Sequence, residues 1–179
     1  MNSSLKFYFD QARRLSADHE WIARDFGYFL KAIGIPGSSI ALEDDLEISN
    51  ENITSVNNFF TSYIEGTPLD YILNESSFLD FTFYVDSRVL IPRPETELIV
   101  GRVLEFALNA RANVLDVGTG SGCISISLAM LRPDLKILAS DISSDALDVA
   151  AINLQKYKVS NVLLVKSNWL SYAKPKSLD

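Results

Sequence analysis

Val114-Leu115-Asp116-Val117-Gly118-Thr119-Gly120-Ser121-Gly122-Cys123-Ile124 runs from an apolar stretch into a turn with glycine at three alternate positions. Val114–Val117 reads as a strand, and the apolar segment Ser121–Leu131, closed by Pro133, reads as a helix. Glycines between a strand and a helix let the backbone turn tightly and approach a bound small molecule closely. Gly118 serves the tight turn, Gly120 removes a side chain where a ligand would lie, and Gly122 lets helix and strand pack closely.

Downstream, strand and helix alternate. Lys136–Ser140 is a second strand around Ile137-Leu138-Ala139. Ser143 or Ser144 caps a helix to about Tyr157, with Asp145 and Asp148 early and Lys156 late, as the helix dipole favours. Asn161–Lys166 is a third strand. This βαβαβ order implies parallel strands with right-handed crossovers. In such a sheet, ligands sit beyond the carboxyl ends of the strands. Asp141 ends the second strand, 23 residues after Gly118. A carboxylate there can accept two hydrogen bonds from a ribose diol. Glycine turns and strand-end acids also arise for purely structural reasons, but in this register they point together to a nucleoside-containing cofactor.

Upstream, residues 1–65 read as helical. Phe7, Ala12 and Leu15 recur at roughly helical spacing. Trp21, Ile22, Phe26, Phe29, Leu30 and Ile33 form a broader stripe, stopped by Gly34-Ile35-Pro36-Gly37. Ile53, Val56, Phe59, Phe60, Tyr63 and Ile64 form another, ended by Gly66 and Pro68. Such stripes are the core of a small helical bundle. Residues 76–91 change to β-formers, with Asp86-Ser87 between two short runs as the turn of a hairpin. Pro94 then opens a helix at a position where its missing N–H costs nothing, with Glu95 and Glu97 favouring that end. Ile99, Val103, Phe106 and Ala110 give this helix an apolar face; Arg102, Glu105 and Asn109 give it a polar one.

The composition, 47% apolar and 22% charged, fits a soluble globular protein. No apolar stretch reaches the roughly 18 residues of a membrane span, and the N-terminus lacks the basic start and apolar core of a signal peptide. One cysteine, Cys123, excludes an internal disulfide framework and suits a reducing cytoplasm. With a single histidine beside it, a zinc site is not expected. Residues 1–90 hold 6 Lys/Arg against 14 Asp/Glu, and residues 91–179 hold 10 against 9. The acidic first part argues against direct nucleic-acid binding, which needs cations to meet phosphates, and would suit a basic protein partner.

A dinucleotide fingerprint wants G-x-G-x-x-G. Here the third glycine comes one residue early and Cys123 occupies its place, which makes a nicotinamide-binding domain the weakest reading. A P-loop would need Gly-Lys-Ser/Thr. G-x-G-x-G with a ribose acid suits S-adenosylmethionine better, a ligand with no pyrophosphate to seat.

Four strings then carry a family resemblance. They are Gly66-Thr67-Pro68-Leu69-Asp70-Tyr71-Ile72 with Phe78, Val89-Leu90-Ile91-Pro92-Arg93-Pro94-Glu95-Thr96-Glu97, Asp116–Gly122, and Ser140-Asp141-Ile142-Ser143 with Ala146-Leu147. Together they resemble the release-factor glutamine N5-methyltransferases, the PrmC/HemK family, strongly over about residues 60–170. The resemblance implies a cytoplasmic, S-adenosylmethionine-dependent enzyme of translation termination. Its substrate would be the glutamine side-chain amide in the Gly-Gly-Gln motif of peptide chain release factors, with no metal, membrane or direct nucleic-acid partner. It implies an α/β fold: a helical substrate-recognition domain (1–75), a β-hairpin linker (76–92) and the first βαβαβ half of a Rossmann-like methyltransferase domain (93–179). Cofactor binding would fall on Gly118, Thr119, Gly120, Ser121, Gly122, Asp141, Ile142, Asn168 and Trp169. The family is usually acidic at the position of Asn168, whose amide can still bond an adenine edge. Arg93, Glu95 and Thr96 lie where the family closes over the cofactor, though helix capping accounts for them equally.

In that family Asn-Pro-Pro-Tyr, at the end of a fourth strand, grips the target amide. That string does not occur among these 179 residues, and Lys174–Asp179 read as the approach to that strand. The expectation is therefore a fragment or truncated product, with no catalytic residue of its own and no turnover. Two other readings stand beside it: a methyltransferase for another protein or nucleic-acid amine, and a non-catalytic module that binds a release factor or other protein.

Overall fold

The computed structural model describes residues 4–42, 46–106 and 111–169. The chain divides into two units, Met1–Leu73 and Asn74–Asp179.

In the first unit, helical apolar spacing produces α1 (Leu5–Leu15), α2 (Ile22–Ala32), α3 (Gly37–Leu42), α4 (Asn50–Ile64) and α5 (Leu69–Leu73). Ser4 caps α1 by accepting from the Phe7 N–H, and Ser49 caps α4 by accepting from the Asn52 N–H. The core gathers rings from α2 and α4: Phe26 to Phe60 at 4.9 Å between centroids and Phe29 to Phe59 at 4.8 Å. Leu5, Phe9, Ile22, Leu30 and Val56 pack around them.

Several sequence expectations need correction here. Trp21 is not core; it stands exposed just before α2, with the Arg24 guanidinium 4.7 Å from its ring centroid. Phe7 also faces outward, because the buried face of α1 runs through Leu5, Tyr8, Phe9 and Ala12, and Ile64 ends α4 exposed, off the buried positions Val56, Phe59 and Phe60. Helices α3 and α5 were not read from the sequence, being only 6 and 5 residues long.

The second unit opens with the antiparallel strands β1 (Ser76–Phe78) and β2 (Phe81–Phe83), with Phe78 opposite Phe81. The hairpin turn is Leu79-Asp80, not Asp86-Ser87. Leu79 takes φ +53°, and its N–H donates to Glu97 Oε1 at 2.8 Å. Asp86 instead makes a local cluster, accepting from Arg88 Nη2 at 2.7 Å and from the Tyr84 hydroxyl at 2.9 Å. The guanidinium holds the Asp86 carboxyl well below the usual carboxylate range.

Helix α6 (Pro94–Glu105) begins with Pro94 in its first turn, as expected. Its buried face, however, runs through Val100 and the half-buried Val103, while Ile99 and Phe106 are exposed. These two inward positions follow Glu97 at three-residue steps, the side chain that reaches the hairpin. Asn109 and Ala110 lie outside the described residues, as do Lys174–Asp179.

The rest is β3 (Asn113–Val117), α7 (Cys123–Leu131), β4 (Lys136–Asp141), α8 (Ser144–Tyr157) and β5 (Val162–Lys166). The three strands are parallel in the order β3-β4-β5, with Val117 beside Ser140 and Asp141 beside Lys166. Their carboxyl ends therefore open on one edge. Among the described residues, no helix is long and apolar enough to cross a membrane.

Candidate cofactor site

The alternation of glycines has a backbone cause. Residues 118, 120 and 122 take φ of +76°, +55° and +81°, a region side chains rarely tolerate. The N–H groups of Gly118 and Thr119 both donate to the Ser140 carbonyl, at 2.8 and 2.9 Å. That pins the turn to the carboxyl end of β4. Gly122 N–H then closes it on the Thr119 carbonyl at 2.8 Å. A Cβ on Gly122 would stand 2.9 Å from Ile126 Cδ1 and 3.4 Å from Ala150 Cβ. The third glycine thus permits close approach of α7 and α8, not of helix and strand as expected.

Asp116 belongs to this site, although the sequence reading assigned it no role. It stands next to last in β3, almost fully buried, and Thr119 Oγ1 donates to its Oδ2 at 2.7 Å. Thr119 Oγ1 also lies 3.1 Å from Ser125 Oγ, which donates to the Gly122 carbonyl at 3.1 Å. Burial raises the Asp116 pKa, and the hydroxyls of Thr119 and Ser125 oppose that rise. The available signal was an acid two residues before the first turn glycine. Cys123, in the next turn, is no nucleophile at neutral pH: burial pushes its thiol up to about 11.

Beyond the strand ends lies a cleft of about 260 Å³, lined by Val117, Gly118, Asp141, Ile142, Ser167, Asn168 and Trp169. Asp141 Oδ2 accepts from Gly120 N–H and Oδ1 from Ser143 N–H, each at 3.0 Å. A carboxylate has about four lone-pair sites, so two acceptor positions remain for a diol. Trp169 is 77% exposed and Ile142 65% exposed, which offers an aromatic plate and an aliphatic patch. Apart from Gly118 itself and its two chain neighbours, no protein atom lies within 4 Å of where a Cβ on Gly118 would stand.

The cleft brings together Gly118, Asp141, Ile142, Asn168 and Trp169. Thr119, Gly120, Ser121 and Gly122 do not line it: Thr119 and Ser121 are buried, Thr119 is bonded to Asp116, Gly120 holds Asp141 by its N–H, and Gly122 closes the turn on Thr119. Arg93, Glu95 and Thr96 do not line the cleft. Arg93 precedes α6, Glu95 and Thr96 form its first turn, and Thr96 N–H donates to the Arg93 carbonyl at 2.9 Å. Among the described residues, no cluster of three or more His, Cys, Asp or Glu side chains is placed to hold a metal ion.

The donor set fits S-adenosylmethionine. Asp141 suits the ribose, while Trp169, Ile142 and Asn168 suit the face and edge of a purine. None of the seven lining residues is a cation to meet a pyrophosphate, whereas the Asp141 carboxylate among them suits a cationic ligand.

A methyltransferase-domain family matches residues 108–179. The release factor glutamine methyltransferase of Chlorobaculum tepidum is 44% identical over 115 residues, covering 60% of this chain and 39% of that protein. Its counterpart from Streptococcus pneumoniae is 37% identical over 139 residues, covering 78% and 49%. Among solved structures, a ribosomal protein L11 methylase from Lactobacillus delbrueckii subsp. bulgaricus is 27% identical at a TM-score of 0.43, covering 50% of this chain and 46% of that one. The chain spans about half the length, or less, of the curated relatives it matches. Through its Ile91–Glu97 and Asp116–Gly122 strings and over as much as 78% of its length, the chain is similar to the release factor glutamine methyltransferases.

Proposed function

We propose that these residues form the cofactor-holding part of an S-adenosylmethionine-dependent methyltransferase. Its acceptor is the side-chain amide of the glutamine in the Gly-Gly-Gln motif of peptide chain release factors. The observation that carries the cofactor reading is the cleft at the carboxyl ends of β3, β4 and β5, where Gly118, Asp141 and Trp169 meet. The acceptor reading rests on the relatives' activity and on the Ile91–Glu97 string.

S-adenosylmethionine, when bound, supplies an electrophilic methyl group on a sulfonium. Asp141 holds the ribose, with its own geometry set by Gly120 and Ser143. Asp116 fixes the turn through Thr119. An amide nitrogen is a poor nucleophile because its lone pair is delocalised into the carbonyl. Transfer to it depends on acceptors that grip both N–H groups and aim the nitrogen in line with the methyl. The Asn-Pro-Pro-Tyr string that does this in the family is not among the 179 residues. We therefore assign these residues cofactor binding without turnover. Residues 1–75, rich in acids, are assigned to docking the factor, residues 76–92 to the connecting hairpin, and 93–179 to the cofactor domain.

The test is calorimetry of S-adenosylmethionine with the 179-residue chain and with Asp141→Ala. Binding that weakens by about 10- to 100-fold in the variant is expected for lost charge-assisted hydrogen bonds; no binding by the unmutated chain overturns the reading. Methyl transfer to a release factor is then compared between this chain and one continued through Asn-Pro-Pro-Tyr. Turnover by the former overturns the assignment of binding without catalysis. Equal factor affinity after deletion of residues 1–75 removes their docking role.

A further inference from the structure

Asn153 lies on α8, fully buried, outside the cleft and outside every motif that marks the family strings. All of its polar capacity is directed. Its Oδ1 accepts from Tyr84 N–H at 2.7 Å, and its Nδ2 donates to the Tyr84 carbonyl at 2.9 Å. The second Nδ2 proton goes to the Ser121 carbonyl, also at 2.9 Å. The partners fix the amide's orientation, because a flipped amide would set oxygen against oxygen.

The Ser121 carbonyl and the Gly122 N–H are the two poles of one peptide plane. Asn153 holds the first pole, and the Thr119 carbonyl holds the second at 2.8 Å. That plane is where the glycine turn passes into α7. A single side chain therefore ties the segment after β2 to the shape of the turn that lines the cleft. Only asparagine offers one acceptor and two donors at this reach. Aspartate would turn a carboxylate toward two carbonyl oxygens, and serine would leave groups unpaired in a dry site.

We propose that Asn153 is a positioning residue for the cofactor cleft, locking the 121–122 peptide plane and coupling it to the hairpin segment at Tyr84. The proposal rests on the cofactor reading above. Tyr157, one turn further along α8, is the natural control. Its hydroxyl accepts from Thr82 N–H at 2.9 Å and donates to the Thr82 carbonyl at 2.7 Å. It thus grips the same hairpin without bonding to the glycine turn.

The experiment uses the 179-residue chain and S-adenosylmethionine. Saturating cofactor slows amide exchange at Tyr84 by about tenfold or more, with a smaller change at Thr82; an unchanged Tyr84 overturns the coupling. Calorimetry then compares Asn153→Asp with Tyr157→Phe at a temperature where circular dichroism shows both folded, and Asn153→Ser replaces the first variant where it does not fold. Affinity falls about tenfold or more for the Asn153 variant and less than about twofold for Tyr157→Phe. Equal losses make Asn153 a structural residue only and overturn the proposal. Should the unmutated chain take up no cofactor, the cofactor reading fails by itself. Ligand-free exchange at Gly118, Thr119 and Gly120 then decides the role of Asn153. Acceleration confined to the Asn153 variant supports it, and equal rates in the two variants overturn it.

Discussion

Around Phe26, helices α1, α2 and α4 meet through rings and methyl groups. Around Asn153, helix α8 meets the hairpin and the glycine turn through three hydrogen bonds. The first unit is held by apolar area, which is non-directional and tolerates some sliding of one helix on another. The second has an apolar core of its own around Phe78, Phe83 and Ile126 and is stitched besides by side chain to backbone bonds that fail when an atom moves by an ångström: Glu97 to Leu79, Tyr157 to Thr82, Asn153 to Tyr84, Asp141 to Gly120. A cleft that must fit one ligand needs the second kind of bonding. A bundle of helices needs only the first.

The contrast breaks most visibly at Phe26, whose ring centroid lies 5.3, 5.4 and 4.9 Å from those of Phe9, Phe59 and Phe60. Phe26→Ala opens a cavity with no way to collapse around it and costs about 3–5 kcal/mol. Chemical denaturation followed by far-ultraviolet circular dichroism measures this. A loss below about 1 kcal/mol would mean that the bundle repacks freely and that the aromatic cluster is not its main support.

The two kinds of bonding also explain what could be read from the sequence. Apolar periodicity is local, so Phe26, Phe29, Phe59 and Phe60 were legible as core. The tight turn at Gly118 was legible too, because the positive φ it takes selects glycine. Asp141 was legible as the end of a strand. Asn153 was not, because its partner Tyr84 lies 69 residues away and nothing near 153 signals it. The hairpin turn was misplaced for the same reason. Leu79 is a poor turn former, and what holds it is Glu97, 18 residues on. The sequence of a stitched region shows the ends of each thread but not which ends are tied.

Gly122 sharpens the comparison at intermediate size, because there both kinds of bonding meet. Gly122→Ala would have to keep φ +81° with a side chain, and its Cβ would press on Ile126 Cδ1 at 2.9 Å. The left-handed backbone costs about 1–2 kcal/mol, and Ile126 gives way only in part. The expected result is a lower melting temperature together with weaker S-adenosylmethionine binding, since the displaced peptide is the one that Asn153 holds. A variant that lost stability but kept full affinity would separate the turn's shape from the packing of α7 on α8.

Tyr63 gives the smallest effect and probes the exception in the first unit, a directional bond at the edge of an apolar core. Its hydroxyl, on α4, donates to Asp25 Oδ2 on α2 at 2.7 Å. Burial, the hydrogen bond and the Asp25 charge together push the phenol up to about 12. An unfolded tyrosine releases its proton near pH 10, so between about 10 and 12 the folded chain holds more protons than the unfolded one. By linkage, stability then falls as pH rises. The contribution is whole below about pH 10 and lost as pH passes through about 12. Tyr63→Phe removes about 1 kcal/mol at pH 8, the net worth of one hydrogen bond. The gap between the unmutated chain and Y63F should narrow as pH approaches 12, because only the former loses this bond to titration. Urea denaturation of both chains at pH 8, 10 and 11.5 reads that gap directly. A gap that is absent at pH 8, or that widens with pH, would make the Tyr63–Asp25 contact incidental and leave the helical unit held by apolar packing alone.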